Sequence, residues 1–334
     1  MTSRSVRLPL PSSRFATVRL AGFAVAWLVV SSADAQQRSP VLPDGVEVER
    51  DIAYVEGGHE RQKLDLYRPS GFDPTSDEPR PLVVWIHGGG WRNGSKANAL
   101  PLRQRYVEDG YLLASVGYRL TDVAGFPAQT DDCLAALRFL REHADEYGIA
   151  ADRIAVWGAS AGGHLAAMMG VMEADSEGRE HVQPAAVVDY FGPSDLLAFA
   201  DFSDRVRGPN SPEALLLRGP VLQNREKAAE ASPVTHVDAD DPPMLMVHGD
   251  RDPLVPLRQS ERLQERLAEV GVEARLVEIR GGGHGGRSWN DPRIVAAVRT
   301  FLDEYLRDRK PPRQNVLEPN PTRTVIDVTM RPGA

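Results

Sequence analysis

One segment, residues 154–163, constrains the fold of this chain more than any other. It reads IAVWGASAGG, so a strand of β-branched and aromatic residues runs directly into Gly-x-Ser-x-Gly and then into a helical segment at 161–172. A serine at such a turn takes unfavourable backbone angles, and side chains two residues before and after it would collide with the neighbouring strand and helix. The pattern alone is weak, but its strand and helix supply the required context. We therefore predict that Ser160 projects its hydroxyl above a sheet as a nucleophile.

Strand-like and helix-like segments alternate along most of the chain. Residues 46–55 and 62–67 predict an opening antiparallel hairpin. Continuous apolar runs at 82–86 and 244–247 are typical of buried parallel strands. Residues 291–305 predict a final amphipathic helix. This alternation predicts an α/β fold with a doubly wound, mostly parallel sheet, and ligand chemistry at the carboxyl ends of its strands.

Two segments depart from that alternation. Residues 196–237 are long, polar and interrupted by prolines, which predicts a short cap insertion over the site. Residues 311–334 contain several prolines and no amphipathic pattern, which predicts a disordered tail. We expect the main domain to occupy residues 36–310.

The N-terminus resembles an export signal. Residues 1–35 carry four arginines, an apolar run at 20–30 and an Ala-x-Ala sequence that ends at Ala35. The run is shorter than the roughly 20 apolar residues of a spanning helix, so a signal peptide cleaved after Ala35 is favoured over an anchor. Cleavage would remove four arginines and one aspartate, and the formal net charge of −8 would become −11.

That charge bears on partners and location. An acidic chain without a basic run is a poor candidate for binding nucleic acid or anionic membranes. We expect a secreted or periplasmic protein with no membrane span in its mature form. The single cysteine, Cys133, excludes an intramolecular disulfide and a cysteine-based metal cluster.

A serine nucleophile at neutral pH needs a base, and the base needs an acid to orient it. When the serine lies on such an elbow, the order along the chain is Ser, then Asp or Glu, then His. His284 follows the last predicted strand in the run GGGHGG, whose glycines allow a tight loop to bring the ring over Ser160. The alternative is a flexible surface loop with an incidental histidine. His236, in the cap segment, is a weaker rival.

The acid is expected in the loop after the strand 244–247. Asp252 lies further into this loop, where a carboxylate could reach the imidazole. Asp250 is nearer the strand end and is expected to bind the backbone of the turn or Arg251. Spacing favours Asp252 but does not decide between the two. His248, at the strand end, is interpreted as a structural hydrogen-bonding residue.

The oxyanion that forms when a nucleophile attacks a carbonyl must be met by fixed donors. The sequence HGGGW at 87–91 directly follows an apolar strand, and its glycines allow backbone N–H groups to turn toward a ligand. Together with the N–H of Ala161, they could form an oxyanion hole. A Walker-type phosphate loop would need Gly-Lys-Ser/Thr, which is missing here.

Three further residues have two interpretations each. Trp91 and Phe126 either line a substrate pocket or pack in the core. His164 is either a metal ligand or a core residue. A single histidine on the buried face of a helix, without carboxylates at ligand spacing, is more often a core residue. We expect neither a metal nor a cofactor.

Together these motifs resemble the α/β-hydrolase superfamily, specifically secreted bacterial esterases of the feruloyl and acetyl-xylan esterase-like (BD-FAE) type. The resemblance covers residues 45–307 and rests on the HGGGW loop, the elbow and the acid loop HGDRDPLVP. It implies a triad of Ser160, His284 and Asp252, and oxyanion donors at Gly89, Gly90 and Ala161. Two departures are Ala159, where many lipase relatives have an acidic residue, and a glycine-rich stretch before His284.

The expected activity is that of a secreted serine carboxylic-ester hydrolase acting through an acyl-enzyme. Its partner would be a small-molecule or glycan ester, with a short acyl group or a carbohydrate alcohol. One alternative is a prolyl-oligopeptidase-like serine peptidase, although the segment before the first strand leaves no room for a propeller. Another is a non-catalytic binding protein that kept the fold.

Overall fold

Each strand segment predicted above overlaps a strand of the structure. The computed structural model describes residues 42, 44–98, 106–179, 183–308 and 322–329. The strands are β1 Val46–Ala53, β2 Lys63–Pro69, β3 Arg80–Ile86, β4 Leu112–Val116, β5 Ile149–Ala159, β6 Ala186–Tyr190, β7 Met244–Gly249, β8 Ala274–Arg280 and β9 Thr322–Asp327. They form one sheet in the order β1-β2-β4-β3-β5-β6-β7-β8-β9.

Helices cover both faces of this sheet. They are α1 Ala128–Glu142, α2 Ala144–Tyr147, α3 Ala161–Val171, α4 Leu196–Phe202, α5 Asp204–Arg207, α6 Pro212–Leu217, α7 Arg225–Glu230, α8 Arg258–Glu269 and α9 Pro292–Leu306. α1 and α2 are separated at His143, whose φ and ψ are −105° and 22°.

Strand direction confirms the α/β prediction. β1 pairs antiparallel with β2, and β2 with β4, whereas the remaining neighbours are parallel. The apolar run of β3 is buried on both sides: Leu82 and Val84 pack in one apolar core, and Val83 and Trp85 in the other. Burial on both faces is the reason why such strands show continuous rather than alternating hydrophobicity.

The parallel arrangement brings the carboxyl ends of β3, β5, β6, β7 and β8 to one edge of the sheet. The described residues between 42 and 329 belong to one compact unit. The predicted signal peptide lies outside the described residues. No helix in the described part of the chain is long and apolar enough to cross a membrane.

The insertion at 196–237 folds into α4–α7 and short 3₁₀ turns. It contacts two loops that follow the strands: Arg205 Nη2 donates to the Leu254 carbonyl oxygen at 3.0 Å, and a Cβ atom on Gly90 would lie 3.1 Å from Pro212 Cβ. The insertion therefore adjoins the same edge of the sheet as the candidate site residues.

The C-terminal segment corrects the sequence analysis. Residues 311–334 are predicted to be disordered, yet 322–327 form β9, which pairs parallel with β8. Ile326 is buried, and Arg323 binds the Glu278 carboxylate at 2.6 Å. Three of the first four residues of this strand are Thr, Arg and Thr, and the first four side chains are exposed, so apolar periodicity gave no signal for it.

Ile326→Ala is expected to lower the free energy of unfolding by about 2 kcal/mol, because it leaves a gap beside β8. Val325→Ala is the matched control, since the side chain of Val325, next to Ile326 in the strand, is 44% exposed. It should cost less than about 1 kcal/mol. Equal effects of the two variants in urea unfolding would show that β9 does not pack as described.

Candidate functional site

Ser160 lies at the turn between β5 and α3. Its φ and ψ are 56° and −122°, and its N–H donates to the Tyr190 carbonyl oxygen at 2.7 Å. A Cβ atom on Gly158 would lie 1.9 Å from the Gly162 oxygen, and one on Gly162 would lie 2.2 Å from the Ile86 oxygen. Both glycines are therefore required sterically, as the elbow predicts.

His284 lies beside this serine. Its Nε2 is 2.9 Å from Ser160 Oγ, and its Nδ1 is 2.6 Å from Asp252 Oδ2. Gly281 and Gly285 have φ values of 82° and 86°, which glycine adopts readily, so the loop can turn sharply on both sides of the histidine. With its proton on Nδ1, the imidazole donates to the carboxylate and accepts the hydroxyl proton.

Backbone N–H groups of the acid loop hold the Asp252 carboxylate. Its Oδ1 accepts the N–H groups of Leu254 at 2.8 Å and Val255 at 2.9 Å, which leaves Oδ2 for His284. Burial raises the pKa of Asp252, but hydrogen bonds from His248, His284 and the Val255 N–H outweigh it. The pKa of this carboxyl therefore lies well below its usual range, and Asp252 is ionised at neutral pH.

The rival residues make other contacts. Asp250 Oδ1 accepts the Gly281 N–H at 2.6 Å, so this aspartate binds the backbone of the loop that carries His284. His236 lies in the insertion, where its Nε2 is 2.7 Å from the Glu230 carbonyl oxygen. The structure brings Ser160, His284 and Asp252 together by direct contacts.

The HGGGW loop lies against the elbow. A Cβ atom on Gly88 would lie 2.6 Å from the Ala159 oxygen and 3.3 Å from Ser160 Cβ. Gly89 and Gly90 have φ values of 121° and 60°. Within the described residues, the backbone N–H groups of Gly89, Gly90 and Ala161 have no protein acceptor. These three amides are therefore available to a ligand.

Contacts of the His87 ring and backbone support the HGGGW loop. Its ring stacks on Tyr118 with centroids 4.3 Å apart, and Tyr118 Oη donates to the His87 carbonyl oxygen at 2.8 Å. Nδ1 lies 2.8 Å from the Gly88 oxygen and therefore carries the proton. Burial lowers the pKa of His87 to about 4, so the ring is neutral at physiological pH.

Trp91 and Phe126 lie in the core. Trp91 is 2% exposed, and its Nε1 donates to His164 Nδ1 at 3.3 Å. His164 Nε2 in turn donates to the Ala231 oxygen at 2.7 Å, and burial lowers the pKa of His164 to about 4. Phe126 is also buried. The burial of these two aromatic residues fits the packing interpretation, and the pocket interpretation stays a prediction.

A different set of aromatic side chains surrounds a cavity of about 410 Å³ beside the elbow. Its wall includes Ala159 and Gly285, the chain neighbours of Ser160 and His284. Its aromatic lining consists of Trp85, Tyr106, Trp157, Tyr190, Phe191 and Trp289. These residues come from five separate segments of the chain, so no local spacing indicates that they share one cavity.

Within this set, Phe191 is the residue whose position the sequence could have indicated. Its ring centroid is 4.5 Å from that of His284 and 4.4 Å from that of Trp289. Its φ of 46° is unusual for a bulky residue and marks a strained backbone. The sequence signal was its position directly after β6, at the edge that carries the other candidate residues.

Among the described residues, no group of three or more His, Cys, Asp or Glu side chains could hold a metal ion. His164, considered as a ligand above, has both ring nitrogens engaged by protein groups.

Known proteins share this arrangement of elements. Residues 64–267 match the BD-FAE family, and residues 223–317 match the family described as TAP-like protein. The probable carboxylic ester hydrolase LipM of Mycobacterium tuberculosis is 32% identical over 67% of this chain and 52% of its own. The chain thus spans about half the length of some curated relatives that it matches.

This chain covers a larger share of the solved structures that it resembles. A truncated carbohydrate esterase from gut microbiota has a TM-score of 0.69 and 28% identity, covering 78% of this chain and 96% of that one. Thermogutta terrifontis esterase 2, phosphoramylated by tabun, has a TM-score of 0.62 and 26% identity. The match covers 81% of this chain and 99% of that one. Since the first family match spans more than half of the chain, this protein belongs to the BD-FAE family and has the α/β-hydrolase fold.

Proposed function

We propose that this protein is a carboxylic-ester hydrolase in which Ser160, His284 and Asp252 act as a catalytic triad. The observation that carries the proposal is the unbroken chain of contacts from Ser160 Oγ through both nitrogens of His284 to Asp252 Oδ2. The esterase names of the similar proteins support the same activity.

The contacts assign each group a role in acyl transfer. Ser160 Oγ attacks the ester carbonyl carbon while His284 Nε2 takes its proton, and ionised Asp252 stabilises the imidazolium that results. The N–H groups of Gly89, Gly90 and Ala161 would donate to the oxyanion. When the intermediate collapses, the imidazolium gives its proton to the leaving alcohol. Water then attacks the acyl-enzyme by the same route and releases the acid and the serine.

The substrate class proposed is an ester with a short acyl group or a carbohydrate alcohol. Long acyl chains need an extended apolar surface, and the insertion at 196–237 exposes only two large apolar side chains, Phe202 and Leu222. The similar carbohydrate esterase from gut microbiota supports a glycan ester.

Export is part of the same proposal. A glycan ester would be met outside the cytoplasm, and residues 1–35 have the three-part pattern of a cleaved signal. N-terminal sequencing of protein exported by its host should begin at Gln36. Recovery of the intact leader on cytoplasmic protein would contradict export.

Ser160→Ala is expected to lower kcat on p-nitrophenyl acetate by about a millionfold, because no other hydroxyl occupies the elbow. Its thermal unfolding should match that of the wild type. A fluorophosphonate probe should label the wild-type protein and not this variant. Ser176→Ala, at an exposed serine bound to Asp131, is the control and should keep full rates. Retained hydrolysis in Ser160→Ala would reject the triad.

Acyl preference tests the substrate class. Initial rates should fall from p-nitrophenyl acetate through butyrate to octanoate, because the insertion offers little apolar surface to a long chain. Rates that rise toward octanoate would contradict a short-acyl esterase. Cleavage of proline-containing peptides at comparable rates would favour a peptidase instead.

A further inference from the structure

The acid of the proposed triad has a second histidine on its other side. His248, the fifth residue of β7, is fully buried. Its Nδ1 is 2.7 Å from Ser260 Oγ. Its Nε2 is 2.8 Å from the Val255 carbonyl oxygen and 3.5 Å from Asp252 Oδ2. Asp252 therefore lies between two serine–histidine pairs, Ser160–His284 and Ser260–His248.

The partners of His248 determine where its proton lies. A carbonyl oxygen can only accept, so the contact with Val255 requires a proton on Nε2. Nδ1 of the neutral ring then carries a lone pair, which accepts the Ser260 hydroxyl proton. The Val255 carbonyl thus fixes the tautomer, Ser260 binds the remaining ring nitrogen, and Nε2–H points toward Val255 O and the Asp252 carboxylate.

This donor completes the set of contacts on the carboxylate. Asp252 Oδ1 accepts two backbone N–H groups, from Leu254 and Val255, while Oδ2 accepts from His284. At 3.5 Å the contact of His248 Nε2 with Oδ2 is long, so the Nε2–H is shared with the Val255 carbonyl. The shared donor holds together the carboxylate and the loop segment that supplies its backbone partners.

We propose that His248, held by Ser260 and the Val255 carbonyl, is a positioning residue that orients Asp252 toward His284. The inference rests on the proposed function only in taking Asp252 as the acid of the triad. His248 itself touches neither Ser160 nor His284 in the described contacts, so it acts through Asp252.

Two variants of His248 with amide side chains distinguish a positioning role from a space-filling one. The amide nitrogen of His248→Gln can lie near the position of Nε2, whereas the shorter side chain of His248→Asn reaches only the position of Nδ1. His248→Asn should lower kcat about tenfold and change KM less than twofold. His248→Gln should recover most of the lost kcat.

A spectroscopic readout makes the test independent of turnover. The His284 Nδ1 proton, in a 2.6 Å hydrogen bond to Asp252, should give a far-downfield ¹H NMR signal. We expect this signal in the wild type and in His248→Gln, and its loss or upfield shift in His248→Asn.

A milder pair of variants covers the case in which His248→Asn does not fold. Ser260→Ala removes the hydrogen bond that holds the His248 ring at Nδ1 and should lower kcat and shift the same signal in the same direction. Ser232→Ala is the matched control, because this buried serine binds the Ala228 oxygen and lies in the insertion. It should change neither readout.

The outcomes distinguish the two proposals. Folded His248→Asn or Ser260→Ala protein with wild-type kcat and an unchanged NMR signal would overturn the role of His248 and leave the triad intact. If the wild-type protein hydrolysed no ester, the proposed function would fail. The NMR signal would then still decide whether His248 orients Asp252.

Discussion

The strained backbone at Ser160 is the constraint on which the rest of the site depends. A residue with φ of 56° and ψ of −122° persists only where the surrounding structure fixes it. Here β5 enters the turn, α3 leaves it, and Gly158 and Gly162 permit a separation that no side chain would allow. The Tyr190 carbonyl oxygen holds the Ser160 N–H from the neighbouring strand. The strain is thus balanced by the packed centre of the sheet, and the hydroxyl stands at its carboxyl edge.

Three other loops meet at the edge of the sheet that carries this hydroxyl, because their strands run parallel to β5 in the same sheet. The glycine loop follows β3, the acid loop follows β7, and the His284 loop follows β8. Contacts between loops, such as the bond from the Gly281 N–H to Asp250, fix their relative positions. The geometry combines a proton-accepting chain on one side of Ser160 with free backbone amides beside it. Transfer of an acyl group through an oxyanion needs both features.

The sequence predicted the parts of this arrangement that depend on local chemistry. Strands, elbow, glycine loop and the placement of His284 follow from apolar runs and from glycines at required positions. Three features did not follow. β9 has mostly exposed polar side chains in its first half, so only pairing with β8 reveals it. The aromatic cavity is assembled from distant segments, and the orientation of His248 depends on Ser260 in another element. All three arise from tertiary contacts that one-dimensional patterns do not encode.

The most direct test of the central claim is to observe the acyl-enzyme. Protein mixed with p-nitrophenyl acetate and quenched in acid within the first turnovers should gain the mass of one acetyl group. Peptide mapping should place that group on Ser160, and mixing His284→Ala in the same way should leave the mass unchanged. Acetylation of another residue, with Ser160 unmodified, would contradict a serine nucleophile at this elbow.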